Sequence, residues 1–336
     1  MKSSAGAIAI PILCVVLILS VLIALTIGAY PITLEGFWSA IARLWSGESA
    51  QTPEERVLLN IRGPRVIAGI LVGASLASAG VVYQGLFRNP LVSPDILGVS
   101  AGAGLGAVLG IFLSLPLAAI QGLAFVGGIA TVSLVYLIAS AVRGRDPTLV
   151  LVLGGVVVGA LAGAAISLLK ILADPYDQLP AITFWLLGSL ASTRGAEITG
   201  ALPAVLIGLV PLVLLRWRIN VLSLGDEEAR SLGMEAGRVR AAVIAAATLM
   251  TASVVAISGV IGWVGLVIPH IARMIVGPNF ERLLPTAALM GASYLVLVDV
   301  LARSIARIEV PIGILTAVVG APFFLWLLWR GRHGWS

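Results

Sequence analysis

The sequence predicts an all-α, polytopic membrane protein with about ten transmembrane helices, several of them short or broken. Three observations carry this. Hydrophobic residues make up 59% of the 336 positions. Charged residues make up 11%, where a soluble domain carries roughly a quarter. Apolar runs of about 18 residues or more recur along the whole length. The runs are continuous rather than alternating, which is not the pattern of a β-barrel. In hydrocarbon every backbone polar group needs an internal partner, and helices supply it. Residues 1–336 read as a single transmembrane domain with one polar segment, 220–240, inside it.

The expected spans are 6–29, 62–84, 94–112, 117–141, 148–171, 194–216, 239–259, 263–276, 282–304 and 311–330. The first has an apolar stretch (Ala5 to Ala29) longer than the ~7–15 residues of a signal-peptide core, and no clear small-x-small cleavage site follows. It is read as an uncleaved span, with Cys14 as a packing residue inside it. An even number of spans puts both termini on one side. Cytoplasmic termini place 13 basic residues inside: Lys2, Arg88, Arg143, Arg145, Arg216, Arg218, Arg230, Arg238, Arg240, Arg273, Arg282, Arg330 and Arg332. Eight fall outside: Arg43, Arg56, Arg62, Arg65, Lys170, Arg194, Arg303 and Arg307. The bias agrees with the positive-inside rule. The net charge of +5 is scattered between spans, so it sets topology and does not mark a nucleic-acid surface.

The second span opens on Arg62 and Arg65 around Pro64. Proline suits a first helical turn, but cations there oppose the helix dipole by typically ~0.3–1 kcal/mol each. Lipid headgroups or an acidic partner on the outer face would favour them. Gly102, Gly106 and Gly110 form a small-residue ridge in the third span, and Gly155, Gly159 and Gly163 another in the fifth. Such ridges let helices approach closely, within a subunit or across a dimer. Lys170 near the outer end of the fifth span either snorkels to the interface or touches substrate.

Two stretches share a layout. One runs Ser78-Ala-Gly80, Asn89-Pro90-Leu91, Pro94, then a helix; the other runs Ser258-Gly259, Gly262, Gly265, Pro269, then a short helix. Interruptions of this kind in corresponding halves point to broken helices and an inverted repeat.

The break at Asn220 to Arg240 is too short for a domain and too polar for a span. Asp226, Glu227 and Glu228 suit a first helical turn, Gly233 suits a stop after Leu232, and Leu222, Leu224, Ala229 and Leu232 could pack onto a partner. The segment reads as a docking helix or as a solvated loop. In the ninth span Asp299 is the candidate for a mid-membrane coupling carboxylate, but Arg303, four residues on, shares its face and pairs it more simply.

Enzyme chemistry finds few parts. Neither lysine, Lys2 nor Lys170, follows a glycine as a phosphate-binding loop requires. Two histidines, His270 and His333, with one cysteine assemble no metal cluster or nucleophile pair. His270, after Pro269, reads as a packing or gating residue.

Several motifs in order make a resemblance specific: Arg62-Gly-Pro-Arg65, Gln84-Gly-Leu-Phe-Arg-Asn-Pro-Leu91, Pro94-Asp-Ile-Leu-Gly-Val-Ser100, Trp185-Leu-Leu-Gly-Ser189, Leu224-Gly-Asp-Glu-Glu-Ala-Arg230, Gly265-Leu-Val-Ile-Pro-His-Ile-Ala-Arg273, Asp299, Arg303, Glu309-Val-Pro-Ile-Gly313 and Gly320-Ala-Pro-Phe323. From about residue 30 to 330 the chain resembles the FecCD family of ABC-importer permeases. The resemblance implies a ten-helix subunit of type II importer architecture in a bacterial or archaeal inner membrane. It implies a homodimer, two separate cytoplasmic ATPase subunits that use the ATP, no cofactor on this chain, and a periplasmic or surface binding protein. It assigns ATPase coupling to Leu222, Leu224, Gly225, Asp226, Glu227, Glu228, Ala229, Arg230, Leu232 and Gly233. It assigns binding-protein docking to Arg62, Arg65 and Arg303. A pathway or gate is expected around Gln84, Asn89, Pro90, Lys170, Pro269 and His270. The cargo it implies is a metal chelate such as haem, a ferric siderophore or a corrinoid. The alternatives are a metal oxyanion such as molybdate, or an ion-coupled secondary transporter.

Overall fold

The computed structural model describes residues 2–28, 30–142 and 147–330. Arg143, Arg145, Arg332 and His333 therefore lie outside the described residues. Every regular element among the described residues is helical. In chain order they are α1 (Lys2–Thr26), α2 (Leu34–Ser46), α3 (Pro53–Arg56), a π-turn (Val57–Arg62), α4 (Gly63–Leu86), a 3₁₀ turn (Pro94–Leu97), α5 (Val99–Phe112), α6 (Leu117–Ala141), α7 (Pro147–Leu172) and α8 (Gln178–Leu187). Then come α9 (Gly195–Leu214), α10 (Arg216–Leu222), α11 (Asp226–Ser231), α12 (Ala236–Ser258), α13 (Val264–Val276), α14 (Phe280–Ser304) and α15 (Ile312–Arg330).

Seven of the ten expected spans are helices long and apolar enough to cross a membrane. The other three are the shorter apolar helices α5, α13 and α15. The second span starts earlier than expected, because α3, the π-turn and α4 run on as one 34-residue helix from Pro53. Its start is set locally. Thr52 accepts from the Glu55 N–H and Glu55 reaches back to the Thr52 N–H, with Pro53 in the first turn. Two further helices had no counterpart among the expected spans. α2 is amphipathic and exposes Leu34, Trp38, Leu44 and Trp45, as a helix lying in a membrane interface does. α8 is a ten-residue apolar helix after the turn at Asp174.

α4, α12 and α14 form the buried centre, and α1 and α7 lie at the periphery. The centre depends on backbone-to-backbone approach. A Cβ on Gly73 would collide with the Gly291 carbonyl of α14, and one on Gly80 with the Gly265 carbonyl of α13. The first glycine ridge packs within the chain: Gly102 meets Gly127 and Thr131, Gly106 meets Leu123, and Gly110 meets Ile120, all on α6. The second ridge divides. Gly155 seats on Ile96, while Gly163 faces open space.

The two broken stretches meet at the centre. Pro94, at the start of the 3₁₀ turn, packs on Gly265, and Pro269 packs on Gly80. Gly98 then takes φ 80°, a conformation open to glycine, and turns the chain into α5. From this junction α5 runs to α8, where Gln178 Nε2 donates to the Phe112 carbonyl at 2.9 Å, and α13 runs to the cleft beside α10.

Candidate functional sites at the two ends

At one end of the bundle, three arginines converge. Arg65 is 7% exposed and forks onto two carboxylates. Its Nε donates to Asp299 at 2.7 and 2.9 Å, and its two terminal nitrogens donate to Glu309 at 2.8 Å each. Ser189 Oγ adds a third donor to Glu309 at 2.9 Å. Arg303 Nε lies 3.6 Å from Asp299. Arg62, 4% exposed, donates to the carbonyls of Leu25, Thr26 and Tyr30 at 2.7, 3.0 and 2.6 Å, and Arg303 donates to the Ala24 carbonyl. The last carbonyls of α1 lack partners within their own helix, and a C-terminal dipole favours cations.

Arg62 and Arg65 are buried within the chain, at 4% and 7% exposed. Their partners within the chain are the end of α1, the Tyr30 carbonyl, buried Asp299 and part-exposed Glu309. Because the helix begins at Pro53, neither arginine sits at a helix N-terminus, and the expected conflict with the dipole does not arise. Asp299 is paired as expected, but its closest cation is Arg65, 234 residues away, and Arg303 is secondary. The partner that sequence reading missed is Glu309. Nothing local marks it, because its role depends on the loop after α14 returning to the start of α4.

At the other end α11 is the expected helix of the polar segment, with α10 leading into it. Leu222 and Ala229 are buried within the chain, with Met234 beside them. Of the four apolar positions expected to face a partner, Leu224 and Leu232 are exposed, each 59%. Glu227, Glu228 and Arg230 are exposed between them. Asp226 pairs with Arg240 at the start of α12, which fixes α11 against the bundle. Gly225 and Gly233 bracket α11 at φ 141° and 76°.

The expected pathway residues divide between the ends and the centre. Gln84 is fully buried and donates to the Leu266 carbonyl at 3.1 Å. Asn89 caps its own turn by accepting from the Leu91 N–H at 2.9 Å, with Pro90 inside that turn. Pro269 belongs to the central junction, and His270 beside it is half-buried with Nδ1 unpartnered. Lys170 lies apart, in the last turn of α7. The nearby Asp174 accepts from the N–H groups of Tyr176 and Asp177 at 2.9 Å, so it shapes the turn into α8.

A bundle with broken central helices, a buried charge cluster at one end and a solvent-facing helical pair at the other is a multi-pass membrane permease. The FecCD transport family matches residues 16–330, and the chain belongs to that family. It is 39% identical over 325 residues to the molybdate import system permease protein of Haemophilus influenzae, covering 96% of this chain and 95% of that protein. It is 46% identical over 276 residues to a Helicobacter pylori permease protein named for iron chelatin transport, covering 82% and 83%. A solved structure of an inward-facing metal-chelate type ABC transporter aligns with TM-score 0.86 and 38% identity, over 96% of this chain and 98% of that one. The permease is not itself catalytic; its family works within ABC importers.

Proposed function

We propose that the chain forms the translocation pathway of an ATP-driven importer for a metal chelate. Two copies enclose the pathway, two cytoplasmic ATPase subunits seat on α10 and α11, and a periplasmic or surface binding protein delivers cargo at the Arg65 end. ATP is spent in the partner, and both termini of this chain face the cytoplasm. The observation that carries the reading is α11. It is fixed from behind by Leu222, Ala229 and the Asp226–Arg240 pair, yet holds Leu224 and Leu232 outward around a charged face. A helix that is both anchored and exposed can transmit a push to the bundle.

The cargo reading rests on the relatives. The iron-chelatin-named relative is the more identical, at 46%, against 39% for the molybdate-named one. An ion-coupled transporter is disfavoured, because Asp299 is held by Arg65 rather than free at mid-depth. Glu309 keeps a quarter of its side chain exposed. An acidic binding protein would meet Arg65 by competing with it.

The test is a mild-detergent pull-down of the tagged chain from native membranes, with ATPase activity assayed in the eluate. Residues 224–233 scrambled in a chain that still folds should lose the co-purifying ATPase. Retained ATPase sinks the docking assignment. Uptake of a labelled ferric chelate, but not of labelled molybdate, by vesicles carrying the whole complex is the expected cargo result.

A further inference from the structure

At the α11 end a cleft of about 260 Å³ lies between the end of α4, α10, and the turn from α13 into α14. Its polar lining is Gln84, Arg88, Asn220, Ser223 and Arg273, and no carboxylate lines it. Two of these side chains are already spent. Asn220 Nδ2 donates to Asn279 at 3.1 Å and its Oδ1 accepts from the Phe280 N–H at 2.8 Å. Ser223 Oγ donates to the Asn220 carbonyl at 2.6 Å. They serve as fixed walls.

Gln84 and Arg273 are not fully satisfied, and Arg88 has no carboxylate partner but is exposed. Among the described residues no carboxylate lies within ion-pair distance of Arg88 or Arg273. Arg273 Nε is buried without an acceptor. Gln84 is fully buried; its amide nitrogen is used on Leu266, and its Oε1 has no donor. Leaving buried polar and charged groups unmatched is costly. The unmet demand is specific: the buried Arg273 Nε asks for an anionic acceptor and the Gln84 Oε1 asks for a hydroxyl, while exposed Arg88 adds a second positive charge at the cleft mouth.

We propose that this cleft binds an anionic phosphate together with an O–H on the same ligand. Hydrogen phosphate meets both demands in one small ion. The phosphoglycerol headgroup of an anionic lipid meets them with a diester oxygen and a glycerol hydroxyl. Sulfate supplies the charge but not the donor. The site does not depend on which cargo is carried, and through Arg88 it borders Gly225 and Glu228 at α11.

The test uses the full chain in phosphatidylcholine nanodiscs, with thermal unfolding followed during titration with inorganic phosphate or sulfate at constant ionic strength. Phosphate should raise the midpoint saturably and at lower concentration than sulfate. Arg273→Gln and Arg88→Gln should each weaken the apparent affinity about tenfold, the loss expected for one charged hydrogen-bond partner. Gln84→Met should erase the preference for phosphate over sulfate. Nanodiscs containing phosphatidylglycerol separate the two sources. Stabilisation that leaves no further response to phosphate identifies the headgroup; a response to free phosphate alone identifies the soluble ion. If Arg273→Gln does not fold, Arg88→Gln decides, because Arg88 is exposed. No saturable shift with either source, or an equal shift in Arg88→Gln, overturns the proposal.

Discussion

Three arginines at one end of the bundle turn their charge inward, while at the other end Glu227, Glu228 and Arg230 keep theirs in water. The first arrangement binds segments distant in sequence: the end of α1, the start of α4, the turn after α8 and the loop after α14. The second holds α11 by one pair, Asp226 to Arg240, while Asn220 and Arg216 tie α10 to the start of α14. Removing one partner from a buried charge network strands the others, whereas exposed charges are screened and individually worth little. The Arg65 end should therefore fail by unfolding, and the α11 end by losing function while staying folded.

The largest expected effect is at Arg65. Arg65→Ala strands Asp299 and Glu309, and should destabilise by about 3–5 kcal/mol in reversible unfolding in detergent. Adding Asp299→Asn and Glu309→Gln should recover part of the loss. A cost under about 1 kcal/mol for Arg65→Ala would break the comparison. Next is Arg62→Gln, which loses charged hydrogen bonds to the α1 carbonyls and should cost about 1.5–3 kcal/mol. It should raise hydrogen exchange in the last turn of α1 more than in α12; a uniform rise would assign it a global role. Asp226→Asn keeps an acceptor but removes the charge beside Arg240, which is 8% exposed, and should cost about 1–3 kcal/mol, less than Arg65→Ala. Leu224→Ala with Leu232→Ala should change stability by under about 0.5 kcal/mol per site, as surface substitutions do, yet abolish co-purification of ATPase. A folded double variant that still recruits ATPase would remove the functional half of the comparison.

The sequence is most informative where structure is local. The long spans follow from continuous apolar runs. α11 follows from an acidic first turn and a glycine stop, and the first ridge from its spacing of four. What sequence reading missed depends on chain closure. Glu309 is 244 residues from Arg65, and no spacing rule connects them. α8 is ten residues long, below the length at which apolar runs declare a span. Leu222 and Ala229 share the apolar character of Leu224 and Leu232, so composition could not tell which pair faces inward. Arg62 and Arg65 read as opposing a helix dipole only on the expectation that the span opens at residue 62. The helix begins at Pro53, so that conflict vanishes, and no local pattern shows that distant parts of the chain supply their partners.

The uninterrupted helix from Pro53 to Leu86 has a mechanical consequence. Its 34 residues span roughly 50 Å, more than a bilayer's hydrocarbon thickness. It is clamped by the Arg65 fork near one end and held at Gly73 and Gly80 by backbone contacts with no side chain to yield. A rod fixed in this way cannot bend locally to absorb a shift. A tilt imposed at Arg65 must reappear at Gln84 and Arg88, beside α10. The two ends differ in chemistry, but they are the two arms of one lever.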